Sequence, residues 1–423
     1  MLRPENMVHQ TIPTKITKAS NASNKISPMH APRFLSHRPR WIGLFVAAIV
    51  GTLSACSVAP VRHDPEPASP SAKAPAPAPA EIARTLPAAT LPAPILREQS
   101  RWVPVPWSEL PGLNTDAIHE AWPAWLQSCQ RPGPTWKALC PEIAQLANAP
   151  VEQQRRWVRD KLQPYRVESH EQGQHGLLTG YYEPALVGSR RAQGDFKVPL
   201  YGPPTQLGQR KPWYTRQEID TLPAARAALR GKELLYLADP VDAMVLHIQG
   251  SGLVNVTEPD GRQRWVRMAY AATNDQPYIS IGRWLLDRKL ITDASWPGIK
   301  AWIDRNPSRV NELLWQNPRV VFFREEALPV GTTPPGPKGA QGVPLTAERS
   351  IAVDRRSIPY GTPVWVKSTG PQTNLDRLVL AQDTGTAIVG AVRADYYAGS
   401  GPAAGELAGR LKQPLQMWAL WPR

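Results

Sequence analysis

Short strand-like runs crowd the C-terminal part of the chain, and this pattern restricts its fold more than any other feature. Apolar and β-branched residues form runs at 341–346, 350–353, 361–366 and 417–422, and glycine and proline lie between these runs. Short runs at close spacing are typical of small barrels, in which each strand is brief and each connection is tight. We therefore predict a small β-barrel in this region rather than a parallel α/β sheet.

Residues 378–401 place two aspartates among β-branched and small side chains. We predict a strand at 379–382, a tight glycine turn, and a second strand at 387–392 with Asp395 at its end, so that Asp383 and Asp395 face one cleft. Aspartate is seldom buried unless it is paired or hydrogen-bonded, and the pattern therefore indicates shifted pKa values and general acid–base chemistry. The alternative is that Asp383 caps a turn and Asp395 is solvated.

The length and the charge of the chain limit the remaining possibilities. Its 423 residues have room for two domains, and a hydrophobic fraction of 42% is enough for real cores. The formal net charge of +14 fits an acidic polymer or surface as a partner, although a solvated face is the commoner explanation of scattered lysine and arginine. No nucleic-acid-binding signature is present, so we do not expect nucleic acid as a partner.

The N-terminus has the pattern of a targeting segment. Within residues 1–55, arginines at 33–40 precede an apolar run at 41–53 that is too short to span a bilayer, and Cys56 follows directly. This arrangement resembles a bacterial lipoprotein signal, which implies cleavage before Cys56 and lipid chains on that cysteine. Ser57, in place of aspartate, implies the periplasmic face of the outer membrane. The alternative is a short membrane anchor with a chance cysteine.

A proline- and alanine-rich stretch separates this segment from the globular part. Many of the 47 prolines lie in residues 56–100, where alanine–proline repeats leave too little apolar surface for a core. Such a stretch stays disordered, extended and semi-rigid because proline fixes φ. We expect a tether that holds the globular part away from the membrane.

The first part of the globular region is predicted to be helical. Residues 115–127 and 151–162 have apolar side chains at helical spacing, and the residues at 114–116 offer an N-cap to the first helix. Cys129 and Cys140 are the remaining thiols, and in an oxidising periplasm we expect them to form a disulfide. Two buried free thiols are the alternative, because spacing alone cannot establish the geometry.

Two motifs in the middle of the chain are candidates for ligand contact. Tyr181 and Tyr182 lie near the end of a predicted strand, where paired tyrosines either pack in a core or stack on sugar rings. Residues 239–246 are predicted to form an apolar strand that breaks into a Gly-Ser-Gly turn at Gly250 and Ser251, which implies a close backbone approach.

Metal binding is not expected. His170, Glu171 and His175 are close in sequence, but no helical HExxH motif or carboxylate cluster accompanies them. The chain also has no CxxC pair. We therefore expect neither a metal nor another cofactor.

Several ordered motifs together resemble one enzyme family. These are T-G-Y-Y-E-P at 179–184, Q-G-S-G at 249–252, S-I-G-R at 280–283, N-P-R-V-V-F-F at 317–323, the D-T-G-T-A-I-V-G-A-V-R-A-D run at 383–395, and G-S-G-P-A-A-G at 399–405. Taken in this order they are similar to the family of membrane-bound lytic murein transglycosylase A, over roughly residues 100–423. The sequence departs from the family at Thr386, where a second glycine usually follows Gly385, and this puts the local loop geometry in doubt.

The resemblance implies a fold that is mainly β with some helix. The expected architecture is a double-psi β-barrel catalytic domain of the 3D type, formed by residues 100–190 and 325–423. A second β-rich domain is expected at 190–325 as an insertion that binds substrate, with a sugar-binding groove between the two. The disordered tether at 56–100 precedes both.

The resemblance also implies an activity and its residues. It implies a peptidoglycan lytic exotransglycosylase, with Asp395 as the single catalytic acid and Asp383 in support. The candidates for positioning the substrate are Tyr181, Tyr182, Gln249, Gly250 and Ser251. Peptidoglycan strands and, through Cys56, the membrane are the expected partners, and complexes of cell-wall synthesis or division are further candidates.

Three other functions compete with this interpretation. A hydrolytic muramidase would use water and leave a reducing end, and a non-catalytic expansin-like module would bind glycan without cleaving it. The D-T-G-T sequence at 383–386 is also the signature of aspartic proteases, but such an enzyme needs two equivalent aspartate loops and this chain has one D-T-G.

Overall fold

A computed structural model describes residues 91–171, 173–329 and 334–423. The predicted leader, the lipidated Cys56 and most of the tether lie outside the described residues. None of the helices in the described part is long and apolar enough to cross a bilayer.

Fifteen strands within the described ranges form two sheets. The strands are β1 Ile95–Leu96, β2 Arg101–Pro104, β3 Leu162–Glu168, β4 Gly176–Glu183, β5 Ala185–Ser189, β6 Val198–Tyr201, β7 Glu233–Leu237, β8 Ser251–Thr257, β9 Gln263–Thr273, β10 Val321–Ala327, β11 Ser350–Val353, β12 Pro363–Thr369, β13 Asn374–Asp383, β14 Arg393–Ser400 and β15 Lys412–Pro422. One sheet has nine strands and the other has six.

Short helices surround these sheets. They are α1 Trp122–Gln130, α2 Pro134–Lys137, α3 Cys140–Gln145, α4 Val151–Lys161, α5 Arg216–Thr221, α6 Pro223–Leu229, α7 Pro240–Gln249, α8 Ile281–Asp287, α9 Trp296–Arg305, α10 Val310–Leu314 and α11 Pro402–Arg410. Three-residue or four-residue 3₁₀ segments lie at Trp107–Glu109, Ile118–Ala121 and Pro307–Arg309.

The nine-stranded sheet closes on itself. Its order is β1-β2-β3-β15-β12-β13-β11-β14-β4, and β15 also pairs with β4, so the last six strands form a ring. Within the ring β13–β11 and β14–β4 are parallel and the other pairs are antiparallel. Closure removes the exposed edges of these six strands. The prediction of a mainly β fold with a barrel is confirmed.

The second sheet has the order β10-β9-β8-β5-β7-β6. Its six strands come from one uninterrupted stretch of the chain, from β5 to β10. The chain leaves the barrel at the end of β4, and β5 begins two residues after Glu183 in the second sheet. It returns after Ala327, the last residue of β10. The two sheets therefore meet where β4 passes into β5, and this is also where α7 and β8 contact β4.

Both faces of the barrel strands are buried. On β13, Val379 and Ala381 point into the barrel, whereas Leu378 and Leu380 pack outside it against the N-terminal helices. Each buried aliphatic side chain contributes roughly 1.5–3 kcal/mol. Burial on both faces explains why this strand has a continuous apolar run instead of alternating apolar and polar residues.

The predicted strand at 387–392 is wrong. These residues form a loop, and β14 begins only at Arg393, so that Asp395 lies within a strand rather than at its end. Gly390 has a φ of 118° and donates its backbone N–H to Asp354 Oδ2 at 3.1 Å. The positive φ of Gly390 and its hydrogen bond to Asp354 keep the apolar run in a loop conformation.

The predicted strand at 239–246 is also wrong, because the segment is helix α7. The Asp239 side chain accepts the backbone N–H of Val241, Pro240 occupies the first turn, and Gly250 ends the helix with a left-handed φ of 80°. A buried helix and a buried strand give similar apolar runs, and only these terminal signals distinguish them. Gly250 is thus a helix cap, and Ser251 begins β8 instead of lying in a turn.

Two smaller predictions need correction. Residues 341–346 form a tight turn with one bridge between Lys338 and Pro344, because Gly342 has a φ of 83° and donates its N–H back to Gly339. The helix predicted at 115–127 begins later, as a 3₁₀ segment followed by α1. Asp116, which the sequence offers as part of a cap, instead binds the buried guanidinium of Arg349. The predicted helix at 151–162 corresponds closely to α4.

Candidate active site

Four residues on four neighbouring barrel strands lie in one row. Asp383 pairs with Ala352 of β11, Ala352 pairs with Asp395 of β14, and Asp395 pairs with Thr179 of β4. Two strand spacings, roughly 10 Å, therefore separate the backbones of the two aspartates. The structure brings the two predicted acids to one site.

A bulge in β13 decides which face Asp383 occupies. Ala381 points into the barrel and pairs with Ile351, and simple alternation would point Asp383 inward as well. The register shifts by one residue between Ile351 and Ala352, so that Gln382 is the extra residue and Asp383 aligns with Ala352. Asp383 therefore lies on the outer face of the barrel, as does Asp395, whose neighbours Ala394 and Tyr396 point inward.

The environment of Asp395 determines which of its oxygens can carry a proton. Arg393 Nη2 donates to Thr179 Oγ1 at 2.8 Å, and the Thr179 hydroxyl in turn donates to Asp395 Oδ1. The other oxygen, Oδ2, accepts none of the hydrogen bonds described between protein groups. Oδ2 is thus the oxygen that remains available for a transferable proton.

Asp383 is held much more tightly. Its Oδ1 accepts the backbone N–H groups of Ala340 at 2.8 Å and Thr384 at 2.9 Å, and its Oδ2 accepts the Tyr181 hydroxyl at 3.0 Å. A Cβ on Gly339 would lie 2.6 Å from the Gln382 carbonyl oxygen, so glycine lets the loop come close enough for the Ala340 bond. Three donors therefore fix this carboxylate in place.

A buried polar network supports the strand end that carries Asp383. Gln382 is fully buried and donates from Nε2 to the Ala124 carbonyl and to Ser128 Oγ at 2.8 Å. Ser128 also donates to Gln341 Oε1 at 3.1 Å. The next residue of α1, Cys129, forms a disulfide with Cys140, the first residue of α3. Helix α1 thus fixes the position of the loop and strand end around Asp383.

Burial raises the pKa of both acids. For Asp383 burial is the largest cause and the charge of Asp395 adds to it, so that the pKa is about 6 despite the three hydrogen bonds that lower it. Burial likewise raises the pKa of Asp395, and the Thr179 hydrogen bond and the Arg393 charge oppose this rise. Burial and the two aspartates together raise the pKa of Tyr181 well above its ordinary value, so this phenol stays protonated as a donor.

The raised pKa of Asp383 leads to a prediction about stability. Because this pKa rises from 3.8 to about 6 on folding, the stabilisation from the protonated form is fully present below about pH 3.8 and is lost as the pH rises through about 6. Asp383→Asn keeps an acceptor for the two backbone N–H groups and carries no charge. We expect it to raise the free energy of unfolding by about 1–3 kcal/mol at pH 8 and to change it little at pH 4.

Denaturant unfolding of both proteins at the two pH values measures this effect. Asp376→Asn is the matched control, since Asp376 lies exposed on the same strand and should change stability by less than about 0.5 kcal/mol at either pH. An equal effect of Asp383→Asn at both pH values would show that its ionisation does not cost stability.

The outer face of the barrel and the second sheet enclose a cleft of about 660 Å³. Asp383 and the other predicted contact residues line it, whereas Asp395 lies beside it in the same row of strands. Four tyrosines line the cleft, and neither phenylalanine nor tryptophan is among its lining residues. The tyrosines are Tyr181, Tyr182, Tyr270 and Tyr397. Tryptophans, by contrast, are largely core residues.

The predicted contact residues also have structural partners. Gln249 Oε1 accepts the backbone N–H of Tyr182 at 3.0 Å, and the Tyr182 ring packs against Gly405 of α11, where a Cβ would lie 2.7 Å from it. Ser251 donates its hydroxyl to Glu183 Oε1 at 3.1 Å. Of the two tyrosines, Tyr181 is the one that contacts a predicted acid.

Glu183 is an important residue that the sequence reasoning did not select. It is almost fully buried and forms a two-pronged ion pair with Arg267 of β9, at 2.6 and 3.1 Å. Ser400 of β14 donates to its other side at 2.9 Å. The carboxylate thus joins β4 and β14 of the barrel to the second sheet and lies in the lining of the cleft. Its position in the T-G-Y-Y-E-P motif, directly before Pro184, is the sequence feature that could have identified it.

Two more tyrosines were missed. Tyr270 of β9 lines the cleft with 48% of its surface exposed, although it is a large aromatic residue. Tyr278 lies close enough to Asp395 that the aspartate charge adds to burial in raising the pKa of the phenol. Both come from the second sheet and its following loop, so only the folded structure places them near the barrel.

A metal site was not found at the histidines of the sequence. Within residues 91–171, 173–329 and 334–423, no group of three or more histidine, cysteine, aspartate or glutamate side chains is arranged to hold a metal ion.

Comparison with known proteins places both parts of the chain in one family. The model of the MltA specific insert domain matches residues 177–324, and the 3D domain matches residues 349–421. The membrane-bound lytic murein transglycosylase A of Vibrio cholerae is 36% identical over 262 residues, which cover 58% of this chain and 65% of that protein. The chain therefore spans slightly less than two thirds of this curated relative.

Solved structures give more complete matches. The lytic transglycosylase LtgG of Burkholderia pseudomallei is 43% identical with a TM-score of 0.54, and the match covers 78% of this chain and all of that one. MltA from Neisseria gonorrhoeae is 31% identical with a TM-score of 0.65, covering 79% of this chain and 95% of that one.

Proposed function

The chain belongs to the membrane-bound lytic murein transglycosylase A family, and we propose that it cleaves the β-1,4 bond between N-acetylmuramic acid and N-acetylglucosamine in peptidoglycan. The proposed products carry 1,6-anhydromuramic acid ends. The unequal hydrogen bonding of the two acids is the observation that supports a single-acid reaction. Asp383 is held by three donors, whereas Asp395 has one oxygen without a described partner.

In the proposed reaction Asp395 acts first as an acid. Its Oδ2 proton passes to the glycosidic oxygen as the bond from that oxygen to C1 of muramic acid breaks. The raised pKa favours the protonated form that this step needs. Oxocarbenium character develops at C1, and the negative charge of the new Asp395 carboxylate stabilises it.

Asp395 then acts as a base. It takes the proton of the C6 hydroxyl of the same muramic acid, and that oxygen forms the new bond to C1. One bond breaks, one bond forms, the proton returns to Asp395, and no water is consumed. The hydroxyl is part of the reacting sugar, so its effective concentration is high when the cleft holds the sugar in the reacting conformation.

Thr179 and Arg393 stabilise the ionised intermediate state of Asp395. Thr179 donates to Oδ1, and the guanidinium behind it brings a positive charge. Burial raises the pKa of Asp395, and the Thr179 hydrogen bond and the Arg393 charge lower it. This balance lets Asp395 be protonated as an acid and ionised as a base. Asp383, with its oxygens occupied by donors, is proposed to position Tyr181 and the loop at Ala340 instead of activating water.

Tyr270 is proposed to stack on a sugar ring. We expect Tyr270→Ala to raise KM for glycan strands about 2–10-fold with little change in kcat, because an exposed aromatic face contributes binding that is the same in ground and transition states. Tyr270→Phe keeps the ring and should stay close to the wild type. If Tyr270→Phe raised KM as much as Tyr270→Ala does, stacking would not be the role of this residue.

Digestion of purified murein sacculi tests the proposed activity. We expect the purified full chain to release muropeptides that are lighter by one water than their hydrolytic counterparts, as judged by mass spectrometry. Reducing ends in the products would indicate a hydrolytic muramidase. Sacculi that bind the protein and stay intact would indicate a glycan-binding module.

We also propose that Cys56 carries the lipid anchor and that a tether follows it. The tether predicted at 56–100 ends before Ile95–Leu96, because β1 already pairs there with β2. The leader pattern supports a place on the periplasmic face of the outer membrane, where the tether gives the enzyme reach toward the cell wall. Cys56→Ser should move the protein from the membrane to the soluble fraction and abolish labelling by a fatty acid.

A further inference from the structure

The cleft has more positive than negative side chains. Four cations line it: Arg131, Arg319, Arg324 and Lys338. The carboxylates that line it are Glu183 and Asp383. Arg267 neutralises Glu183, and Asp383 belongs to the row that also contains Asp395. The rim of the cleft therefore carries a surplus of positive charge that the proposed chemistry does not use.

Three of these cations have no ionic partner among the described residues. Arg319 is half-buried and donates from Nη1 to the Gln276 carbonyl at 3.1 Å, which fixes its direction without neutralising its charge. Arg131 and Lys338 are exposed and take part in none of the ion pairs between described groups. Arg324 differs, since Glu326 pairs with it at 2.8 Å. We call Arg131, Arg319 and Lys338 the cationic rim.

A buried arginine behind the wall adds to this field. Arg216 donates to the carbonyls of Asn317 and Arg319 and to His247 Nδ1. None of its described bonds goes to a carboxylate, and the charge of Asp220 offsets only part of its own. Burial lowers the pKa of Arg216 to about 10, so it remains charged at neutral pH. Burial and this positive charge also lower the pKa of His247 well below its ordinary value, so the ring that lines the cleft stays neutral.

The cationic rim gives the cleft a positive potential that attracts a negatively charged ligand. N-acetylglucosamine is uncharged, so the sugar backbone alone offers no partner. Carboxylates occur on the peptide stems of peptidoglycan, and, where a stem has been removed, on the exposed lactyl group of muramic acid. Arginine binds a carboxylate with two parallel hydrogen bonds, which fits the oriented guanidinium of Arg319.

We propose that the cationic rim binds carboxylates of the peptide stems, so that the enzyme prefers glycan strands that carry stems over bare strands. This proposal rests on the proposed function and deepens it by naming the part of the substrate that selects the strand. The row formed by Asp383, Ala352, Asp395 and Thr179 acts on the sugar, and the cationic rim binds the peptide.

Binding measurements in the Asp395→Asn background test the proposal without turnover. Three ligands separate the sources of negative charge: stem-bearing glycan strands, strands freed of their stems by an amidase, and uncharged chitohexaose. We expect Arg319→Gln to weaken binding of stem-bearing strands about tenfold and to leave chitohexaose within about twofold. Arg319→Lys keeps the charge and should recover part of the loss.

Two further variants guard against a folding defect. Lys338→Gln changes an exposed side chain and should weaken binding of stem-bearing strands by a few-fold in the same direction. Arg283→Gln removes an exposed charge of α8 outside the cleft lining and should change none of the three affinities. Raising the salt concentration should narrow the difference between stem-bearing strands and chitohexaose.

The outcomes are distinct. An equal loss of affinity for chitohexaose would overturn the proposal, because the rim would then bind the sugars. An equal loss for the amidase-treated strands would assign the rim to the lactyl carboxylate and overturn the peptide preference. If the wild type cleaved no strand of any kind, the proposed function would fail, while these binding ratios would still decide the role of the rim.

Discussion

Asp395→Asn is expected to lower kcat for the release of soluble muropeptides by about 10²–10⁴-fold. Asparagine can accept the Thr179 hydrogen bond at Oδ1, so the row of four residues should remain intact. It cannot give a proton to the glycosidic oxygen or take one from the C6 hydroxyl, and both steps of the proposed reaction depend on that. KM should change little, because the proton transfers of Asp395 take place in the transition state and the residues that line the cleft and hold the strand are unchanged.

The matched comparison is Asp376→Asn, which removes an exposed carboxylate from the same barrel sheet and should leave kcat unchanged. Steady-state release of labelled fragments from sacculi measures both variants. A kcat for Asp395→Asn within about tenfold of the wild type would remove Asp395 from the role of acid and base.

Glu183→Gln is expected to lower the free energy of unfolding by about 3–5 kcal/mol. The substitution leaves the guanidinium of Arg267, only 5% exposed, without the carboxylate that binds it at two positions. Removing one partner of a buried ion pair costs far more than the pair contributes, because the remaining charge cannot reach water. Arg267→Gln should cost a similar amount for the converse reason.

A surface pair provides the control for this prediction. Arg309 and Glu312 form an ion pair at 2.8 Å with both side chains at least 40% exposed, and Arg309→Gln should lower the free energy of unfolding far less than Glu183→Gln does. Denaturant unfolding at neutral pH gives both values. A cost below about 1 kcal/mol for Glu183→Gln would mean that water reaches Arg267, and that this pair does not join the two sheets.

The elements with strong local signals could be predicted from the sequence. The strands at 350–353 and 379–382 and the strand that carries T-G-Y-Y-E-P are short, mainly apolar or aromatic runs, and an aspartate or a proline follows each of them. Helix α9 has apolar side chains at helical spacing after a serine cap, and its bounds follow from that pattern. Cys129 and Cys140 were the only described thiols and do form a disulfide.

The site itself depends on features that no local pattern reveals. Asp383 faces Asp395 only because a bulge at Gln382 shifts the register, and a bulge of one residue leaves no mark in an apolar run. Glu183 and Arg267 are 84 positions apart and meet only because the two sheets join at β4. The helix at 240–249 was mistaken for a strand because buried helices and strands share the same apolar composition.

Digestion of sacculi in water labelled with oxygen-18 distinguishes attack by the C6 hydroxyl from hydrolysis. An internal attack by the C6 hydroxyl consumes no water, so we expect the new muramic acid ends to carry no label above a control without enzyme. A hydrolase transfers one oxygen atom from water to each new end. Labelled ends in proportion to the number of bonds cleaved would therefore contradict the proposed reaction of Asp395.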